Sequence, residues 1–276
     1  MSLTLAIPLA TTPFHPVAAQ NAPAAVYSVG AAYDAGRNRL VVFGGYGGIG
    51  YVGDTWEWDG TTWSRATGPS PSARNGPAIV YQSAKRRLFL FGGDTRTDGA
   101  LGDSWVREGA VWRQVASGGP ARSGGGMVYD AGRDRVVLFG GIAAGKVLGD
   151  TWEWDGERWA KVADGGPPAR ALHGMAYDAG RRRVVVYGGL SLLAPDAPSF
   201  DDTWEWDGTR WTQVRIPGLG TPRDHTAMVY DPVRRAVVLH GGGMEAASAE
   251  TWTYDGATWA RLTDAGPRRR IEHQLG

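Results

Sequence analysis

Two kinds of apolar segment alternate along the chain and predict that it folds almost entirely as β-strands. The first kind is a continuous apolar run closed by Gly-Gly, which occurs five times, as LVVFGG, LFLFGG, VVLFGG, VVVYGG and VVLHGG. Such runs are typical of strands covered on both faces. The second kind places tryptophans at alternate positions before a turn, as in DTWEWDG, which predicts a strand that enters a tight hairpin.

Both kinds of segment belong to one repeat. The first glycines of the five pairs lie at positions 44, 92, 140, 188 and 241, so the copies are 48, 48, 48 and 53 residues apart. An aromatic turn such as YDAGRDR precedes each run, and the unit therefore contains four strands, which in the third copy are GGMVYD, RVVLFGG, DTWEWDG and RWAKV. One such sheet cannot bury both of its faces, whereas copies stacked around an axis can.

The repeat resembles the kelch repeat, the four-stranded blade of a β-propeller. The Gly-Gly pair, the aromatic before it, the later paired aromatics and the period of about 50 residues all agree with that family. The resemblance covers nearly the whole chain and implies an all-β, kelch-type β-propeller of four-stranded antiparallel blades in a single domain, residues 1–276.

The number of blades is open between six and five. Residues 26–265 hold the five repeats, residues 1–25 align with a degenerate third and fourth strand, and residues 266–276 align with an incomplete first strand. We expect the two termini to build a sixth blade together, because closure removes exposed sheet edges. A five-bladed ring with trailing ends is the alternative, since no second strand for the sixth blade is found.

Composition excludes several classes of function. The chain has no cysteine, which excludes disulfides and Cys-ligated metals, and its net charge of +1 gives no field that favours nucleic acid. The N-terminal apolar run is interrupted by Pro8 and no basic residue precedes it, so it is not a convincing signal peptide, and no stretch is long enough to span a bilayer. We expect no cofactor, no metal and a monomer, while the cell compartment stays unknown.

One arginine position recurs seven residues before the tyrosine of the first strand, at Arg74, Arg122, Arg170 and Arg223. In kelch propellers the matching residue faces the central mouth, so the resemblance implies a basic ring around a funnel. A guanidinium group is a planar fork of donors suited to carboxylate or phosphate, which points to an acidic ligand. A structural interpretation stays open, in which each arginine pairs with an aspartate or a carbonyl of a neighbouring blade.

The loops that follow Gly-Gly differ among the copies while the strands stay alike. Variation on a rigid scaffold marks the face where binding specificity resides. These loops supply the other candidate ligand-binding residues: Tyr46, Asp94, Arg96, Lys146 and Phe200. The longest loop, residues 190–201, also carries Leu192 and Leu193, and it forms either an apolar wall beside the arginines or simple packing over the adjacent blade.

The catalytic residues, if there are any, are unknown from the sequence, and the candidates are His173, His225 and Asp224. Both histidines lie just inside the arginine position of consecutive copies, where they could transfer protons with Asp224. A structural role for each histidine is the alternative. No two of the five histidines are spaced i,i+2 or i,i+4, so no metal-ligand spacing is seen.

The second copy departs from the others, because Arg107 replaces the tryptophan found at position 58. A charge there must reach solvent or a partner, either at a contact surface or by lying along a neighbouring tryptophan.

These observations favour a non-catalytic recognition or scaffold propeller that binds an acidic small molecule or an acidic segment of a protein at the arginine-lined funnel. The alternative is an enzyme that acts on an acidic sugar or small metabolite, of the epimerase or isomerase type, in the same funnel.

Overall fold

The computed structural model describes residues 22–191, 199–216, 219, 221–243 and 248–263. The described residues form five four-stranded antiparallel sheets, each paired in chain order from its first strand to its fourth. We number these sheets as blades 1 to 5 along the chain. The kelch-type β-propeller architecture predicted from the repeat is therefore confirmed.

The strand bounds follow the repeat. Blade 1 contains β1 (Gly30–Asp34), β2 (Arg39–Phe43), β3 (Thr55–Trp58) and β4 (Trp63–Arg65). Blade 2 contains β5 (Ala78–Gln82), a 3-10 helix (Ser83–Lys85), β6 (Arg87–Phe91), the short loop strands β7 (Asp94–Thr95) and β8 (Gly99–Ala100), β9 (Ser104–Glu108) and β10 (Val111–Ala116). Blade 3 contains β11 (Gly126–Asp130), β12 (Arg135–Phe139), the loop strands β13 (Ile142–Ala143) and β14 (Lys146–Val147), β15 (Thr151–Trp154) and β16 (Trp159–Ala163).

The last two blades repeat the same plan. Blade 4 contains β17 (Gly174–Asp178), β18 (Arg183–Tyr187), β19 (Thr203–Trp206) and β20 (Trp211–Val214). Blade 5 contains β21 (Ala227–Asp231), β22 (Ala236–His240), β23 (Thr251–Tyr254) and β24 (Trp259–Thr263). Across the described ranges, no helix is long and apolar enough to cross a membrane.

The first strands of the blades are innermost and pack side by side around the axis. Strand β1 packs on β5, β5 on β11, β11 on β17 and β17 on β21, whereas β21 and β1 make no comparable contact. The described ring thus has four blade junctions and a seam between blade 5 and blade 1. Most of residues 1–25 and all of residues 266–276, which the six-blade hypothesis needs, lie outside the described residues, so the sixth blade stays a prediction.

A tryptophan joins each blade to the one before it. The first tryptophan of the fourth strand donates its indole N–H to the hydroxyl that begins the preceding blade's third strand, at 2.8–3.0 Å, and we call this contact the indole latch. The four latches are Trp112 to Thr55, Trp159 to Ser104, Trp211 to Thr151 and Trp259 to Thr203. The same indoles lie against the aromatic ring that ends the preceding second strand, at centroid distances of 4.6–5.9 Å. The tryptophan-rich motif therefore serves packing between blades.

The Gly-Gly pair is required where the next blade's first segment approaches. Both glycines have positive φ in every copy, as in blade 1 with 74° for Gly44 and 99° for Gly45. A Cβ atom on Gly44 would lie only 2.7 Å from the carbonyl oxygen of Arg74. A side chain at this position would therefore push two neighbouring blades apart.

Arg107 is buried between blades instead of reaching solvent or a contact surface. Its side chain is fully buried, forms an ion pair with Glu57 of blade 1 and lies 5.9 Å from the ring centroid of Trp112. In later junctions an uncharged donor takes this place, since the indole of Trp206 donates to Glu153 at 3.2 Å. Blade 2 thus closes its junction with a buried ion pair.

Candidate functional site

The first strands surround a central channel with a cavity of about 370 Å³ that opens on the face carrying the loops after Gly-Gly. We call this end of the ring the loop-bearing face. Each blade begins there with one residue of positive φ, and these residues are Ser28, Gly76, Gly124, Leu172 and His225. Backbone hydrogen bonds join several of them into a rim, for example from the His225 N–H to the Leu172 carbonyl at 2.7 Å. Among the described residues that line the cavity, none is Asp, Glu, Lys or Arg.

The four recurrent arginines lie behind this rim and do not line the cavity. Each is almost fully buried and donates to the acidic residue that precedes the third strand of its own blade. The first three arginines bind both carboxylate oxygens, and Arg223 binds one. The pairs are Arg74 with Asp103, Arg122 with Asp150, Arg170 with Asp202, and Arg223 with Glu250. Each guanidinium also donates to the carbonyl of the first glycine of the pair, at 2.9–3.2 Å.

We call each set of one arginine, one glycine carbonyl and one acidic residue an arginine clamp. The clamp closes the base of a variable loop, because the glycine and the acidic residue stand at the two ends of that loop. The arginine's own carbonyl accepts an N–H from the preceding blade, as from Gly45 to Arg74 at 2.8 Å. Burial opposes ionisation of Asp103, yet the hydrogen bonds from Arg74 hold the pKa of this carboxyl below its usual value.

The basic ring around a funnel that the resemblance implies does not line the cavity described above, because the four arginines lie behind its rim. Their charges are met by carboxylates, as in the structural interpretation that the sequence left open, but each carboxylate belongs to the arginine's own blade and not to a neighbouring one. Arg170 is also covered by Phe200, whose ring centroid lies 4.0 Å from the guanidinium carbon. Phe200 packs over a clamp, while Leu192 and Leu193 lie outside the described residues.

The histidine candidates occupy two different environments. His225 and Asp224 form a buried pair, with 2.7 Å between Nδ1 and Oδ1, and Asp224 also accepts a hydrogen bond from Ser199 at 2.5 Å. His173 lies against Phe139 of blade 3, and within the described residues neither of its ring nitrogens has a hydrogen-bond partner. His173 and His225 both line the cavity, whereas Asp224 does not. No described hydrogen bond joins His173 to the Asp224–His225 pair.

An aromatic cluster rises from blade 1 on the loop-bearing face. Tyr27, Tyr46 and Tyr51 are in ring contact in series, with centroid distances of 5.2 and 5.8 Å. Tyr51 donates to Asp94 of the neighbouring blade at 2.9 Å. Tyr27 is 51% exposed, and Ile49 at the loop tip is 97% exposed. The first loop thus presents apolar and aromatic surface to solvent.

Two cations stand on the same face. Arg96 follows β7 in the loop of blade 2, Lys146 begins β14 in the loop of blade 3, and both are exposed. Among the described contacts, neither has an ion pair or a hydrogen bond from its side chain. In the part of the chain that the structure describes, these loop cations thus lack the carboxylate partner that each clamp arginine has.

Comparison with family models matches residues 61–218 to the KLHDC2/KLHL20/DRC7 Kelch-repeats domain, which is more than half of the chain. The chain belongs to the kelch-repeat family. No curated protein matches it. Membership indicates a non-catalytic binding or scaffold role, and kelch propellers typically bind proteins.

Sequence reasoning singled out Tyr46, Asp94, Arg96 and Lys146 but missed Tyr27 and Ile49 of this kelch propeller. Tyr27 lies just after the position of the clamp arginine in blade 1, where the chain has Val26. Its contact with Tyr46 depends on the isolated bridge between these two residues, which no spacing rule reveals. The signal that was available is the loop YGGIGYVG, which holds two tyrosines and an isoleucine between glycines.

His173 gives this kelch propeller a testable pH dependence. Burial, together with the nearby charge of Arg170, lowers the pKa of His173 to about 3, whereas an unfolded chain takes up this proton near 6.5. Because the unfolded state binds the proton first, stability is full above pH 6.5 and falls as the pH decreases from 6.5 towards 3. We expect wild type to lose about 1.4 kcal/mol more per pH unit in this range than His173→Val.

Urea denaturation at pH 7, 6 and 5 measures this difference, and valine is the matched replacement because Val29 occupies the position in blade 1. Parallel stability curves for the two proteins would show that His173 takes up its proton at the same pH in the folded and the unfolded state, which would contradict the lowered pKa.

Proposed function

We propose that this kelch propeller is a recognition module that binds an acidic segment of a partner protein on its loop-bearing face. The observation that carries the proposal is the combination of exposed Tyr27 and Ile49 with the exposed cations Arg96 and Lys146 on one face. Aromatic and arginine side chains contribute a large share of binding energy at protein interfaces. Free charges select a partner of opposite sign and speed its approach.

The sequence favoured a different site for an acidic ligand, the central funnel beside the four recurrent arginines. Such a ligand would have to replace a carboxylate already bound at 2.5–3.2 Å by Arg74, Arg122 or Arg170. The loop cations need no such exchange, because they face solvent. We therefore assign recognition of the acidic group to the loops and leave the clamp arginines in the scaffold.

Selection of a phage-displayed library of random short peptides on the full chain tests this proposal. We expect the recovered peptides to be rich in Asp and Glu together with apolar residues. Calorimetric titration of a recovered peptide should show that Arg96→Glu with Lys146→Glu weakens binding by about tenfold or more, since two attractive charges become repulsive.

The matched control is Arg86→Glu with Arg182→Glu, two exposed arginines in turns at the opposite end of the ring. This variant should keep the wild-type affinity, because it changes the net charge equally but leaves the loop-bearing face intact. Recovery of peptides without acidic residues, or an equal loss with both variants, would contradict the proposal. Binding that survives both loop reversals but is lost with Arg122→Gln would favour the funnel.

A further inference from the structure

Blade 1 differs from the other blades because the chain has Val26 at the position of the clamp arginine. The next residue, Tyr27, bridges to the loop and Ser28 has a positive φ, which is the same arrangement that follows Arg74. The side chain of Val26 cannot donate a hydrogen bond. Among the five described blades, blade 1 is therefore the one in which no guanidinium closes the base of the loop.

Both acceptors of the clamp are nevertheless present in blade 1. Asp54 precedes the third strand, and its carbonyl accepts the Gly44 N–H at 3.3 Å, as the equivalent carbonyls do at 3.2–3.3 Å in the other blades. Among the described hydrogen bonds the Gly44 carbonyl accepts none, whereas each equivalent glycine carbonyl accepts one from a guanidinium. The Asp54 side chain is 31% exposed, against 17–26% for the four clamp carboxylates. The acceptors of this clamp are thus more open to solvent than the others.

The contact that Asp54 makes within blade 1 leaves one carboxylate oxygen for a second donor. Within the described residues its carboxylate binds only Arg65 of β4, through Oδ1. Blade 5 shows that such a contact is compatible with a clamp, because Glu250 binds Arg261 of β24 through Oε1 and Arg223 through Oε2. The Oδ2 of Asp54 can therefore accept from a guanidinium in the same way.

A cavity of about 610 Å³ lies beside these acceptors, which is a size typical of ligand sites. Asp54 is the only charged residue among the described residues that line it. Val52, which also lines it, takes the position of Phe200, whose ring covers the guanidinium of Arg170 in blade 4. The other side chains of the wall are mostly apolar and include Val26, Val42, Ile49 and Trp56. The cavity thus combines one negative charge and a carbonyl acceptor with an apolar wall.

We infer that this cavity, which we call the blade 1 pocket, binds the side chain of an arginine from a partner protein. The guanidinium donates to the Asp54 carboxylate and to the Gly44 carbonyl, as the chain's own arginines do in the other four blades. The methylene groups of the arginine pack on the apolar wall. A lysine fits less well, because an ammonium group lacks the planar fork of donors. This inference does not rest on the proposed function, since it uses neither Arg96 nor Lys146.

Titration of the ¹⁵N-labelled full chain with a blocked pentapeptide that holds one arginine among glycines and alanines tests this inference. Binding is followed by the indole N–H signal of Trp56 in NMR spectra, which the variant Trp56→Phe identifies. We expect a saturable shift of this signal. Matched peptides with lysine, or with citrulline as the uncharged isostere of arginine, should bind about tenfold more weakly or not at all.

Carboxylate variants show whether Asp54 is the acceptor. Asp54→Asn should weaken binding of the arginine peptide by about tenfold or more. Asp98→Asn, which removes an exposed carboxylate in the loop of blade 2, is the matched control and should keep the affinity within about twofold of wild type. Arg96→Glu with Lys146→Glu should bind the arginine peptide at least as tightly as wild type. That last result separates failure of the blade 1 pocket from failure of the proposed function.

Val26→Arg supplies the clamp arginine from within the chain and gives a second, independent measurement. It should abolish binding of the arginine peptide and raise the thermal midpoint by about 2 °C or more, because its guanidinium reaches both acceptors. Val26→Gln adds a long polar side chain without the charge and should not raise the midpoint.

Four results would each overturn the inference. These are the absence of a saturable shift, equal affinity for the arginine peptide and either matched peptide, binding that survives both Asp54→Asn and Val26→Arg, and tighter binding of free agmatine than of the arginine peptide. The last of these would assign the blade 1 pocket to a small guanidinium compound instead of a partner protein.

Discussion

Replacing Arg170 by alanine is expected to lower the free energy of unfolding by about 3–5 kcal/mol, because it leaves a carboxylate without its partner in a largely buried site. Arg170 has no exposed surface, and it donates to both oxygens of Asp202 and to the Gly188 carbonyl. All of these acceptors lose a donor together, and removing the side chain also uncovers Phe200, which packs on the guanidinium. Denaturant unfolding of the wild type and the variant measures the loss.

Arg170→Lys and Arg96→Ala are the matched comparisons. Lysine keeps the charge but cannot form the planar two-oxygen contact, so it should recover only part of the lost stability. Arg96 lies exposed in a loop, and its removal should change stability by less than about 0.5 kcal/mol. If Arg170→Ala left stability unchanged and removed binding of an acidic ligand instead, the arginines would be ligand-binding residues.

Removing the carboxylate of Glu57 is expected to cost about 3–5 kcal/mol in the wild-type chain and much less when Arg107 is also replaced by tryptophan. Glu57 forms an ion pair with fully buried Arg107 and is held by Arg37 at 2.7 and 2.9 Å. Glu57→Ala therefore leaves a charge buried without a counterion. Arg107→Trp removes that charge and restores the uncharged donor that Trp206 supplies to Glu153 in a later junction.

The four proteins of this double-mutant cycle, unfolded in urea at one pH, give the coupling energy between positions 57 and 107. Arg107→Trp alone should cost little, because Glu57 keeps Arg37 as its counterion and can accept the indole N–H, as Glu153 does from Trp206. The same cost for Glu57→Ala in both backgrounds would show that Arg37, and not Arg107, depends on this carboxylate.

The strands could be predicted from the sequence because the same strand pattern recurs in five copies. The run RVVLF and the motif TWEW identify the second and third strands locally, and their bounds in blade 3, Arg135–Phe139 and Thr151–Trp154, follow these letters. The period then implied stacked blades, since a lone sheet of this pattern leaves an apolar face exposed.

The sequence offered two roles for the arginines, ligand binding and structural pairing, but it could not decide between them or identify the paired acidic residue. The acidic residue that precedes each third strand recurs as regularly as the arginine does, yet Arg122 and Asp150 are 28 residues apart. Only the return of the second strand to the loop-bearing face brings them together. The contacts of the aromatic cluster could not be predicted for the same reason, because Tyr51 and Asp94 belong to different blades.

The arginine clamp has a consequence for how this ring can acquire new partners. Each clamp fastens the two ends of one loop to the scaffold, so the residues at the tip of the loop are not needed to hold those ends together. A tip of different length or composition can therefore replace the tip of one loop, provided that contacts such as Tyr51 with Asp94 and Phe200 with Arg170 are kept. The scaffold should accept grafted binding segments one blade at a time, provided that the glycine pair, the arginine and the acidic residue are kept.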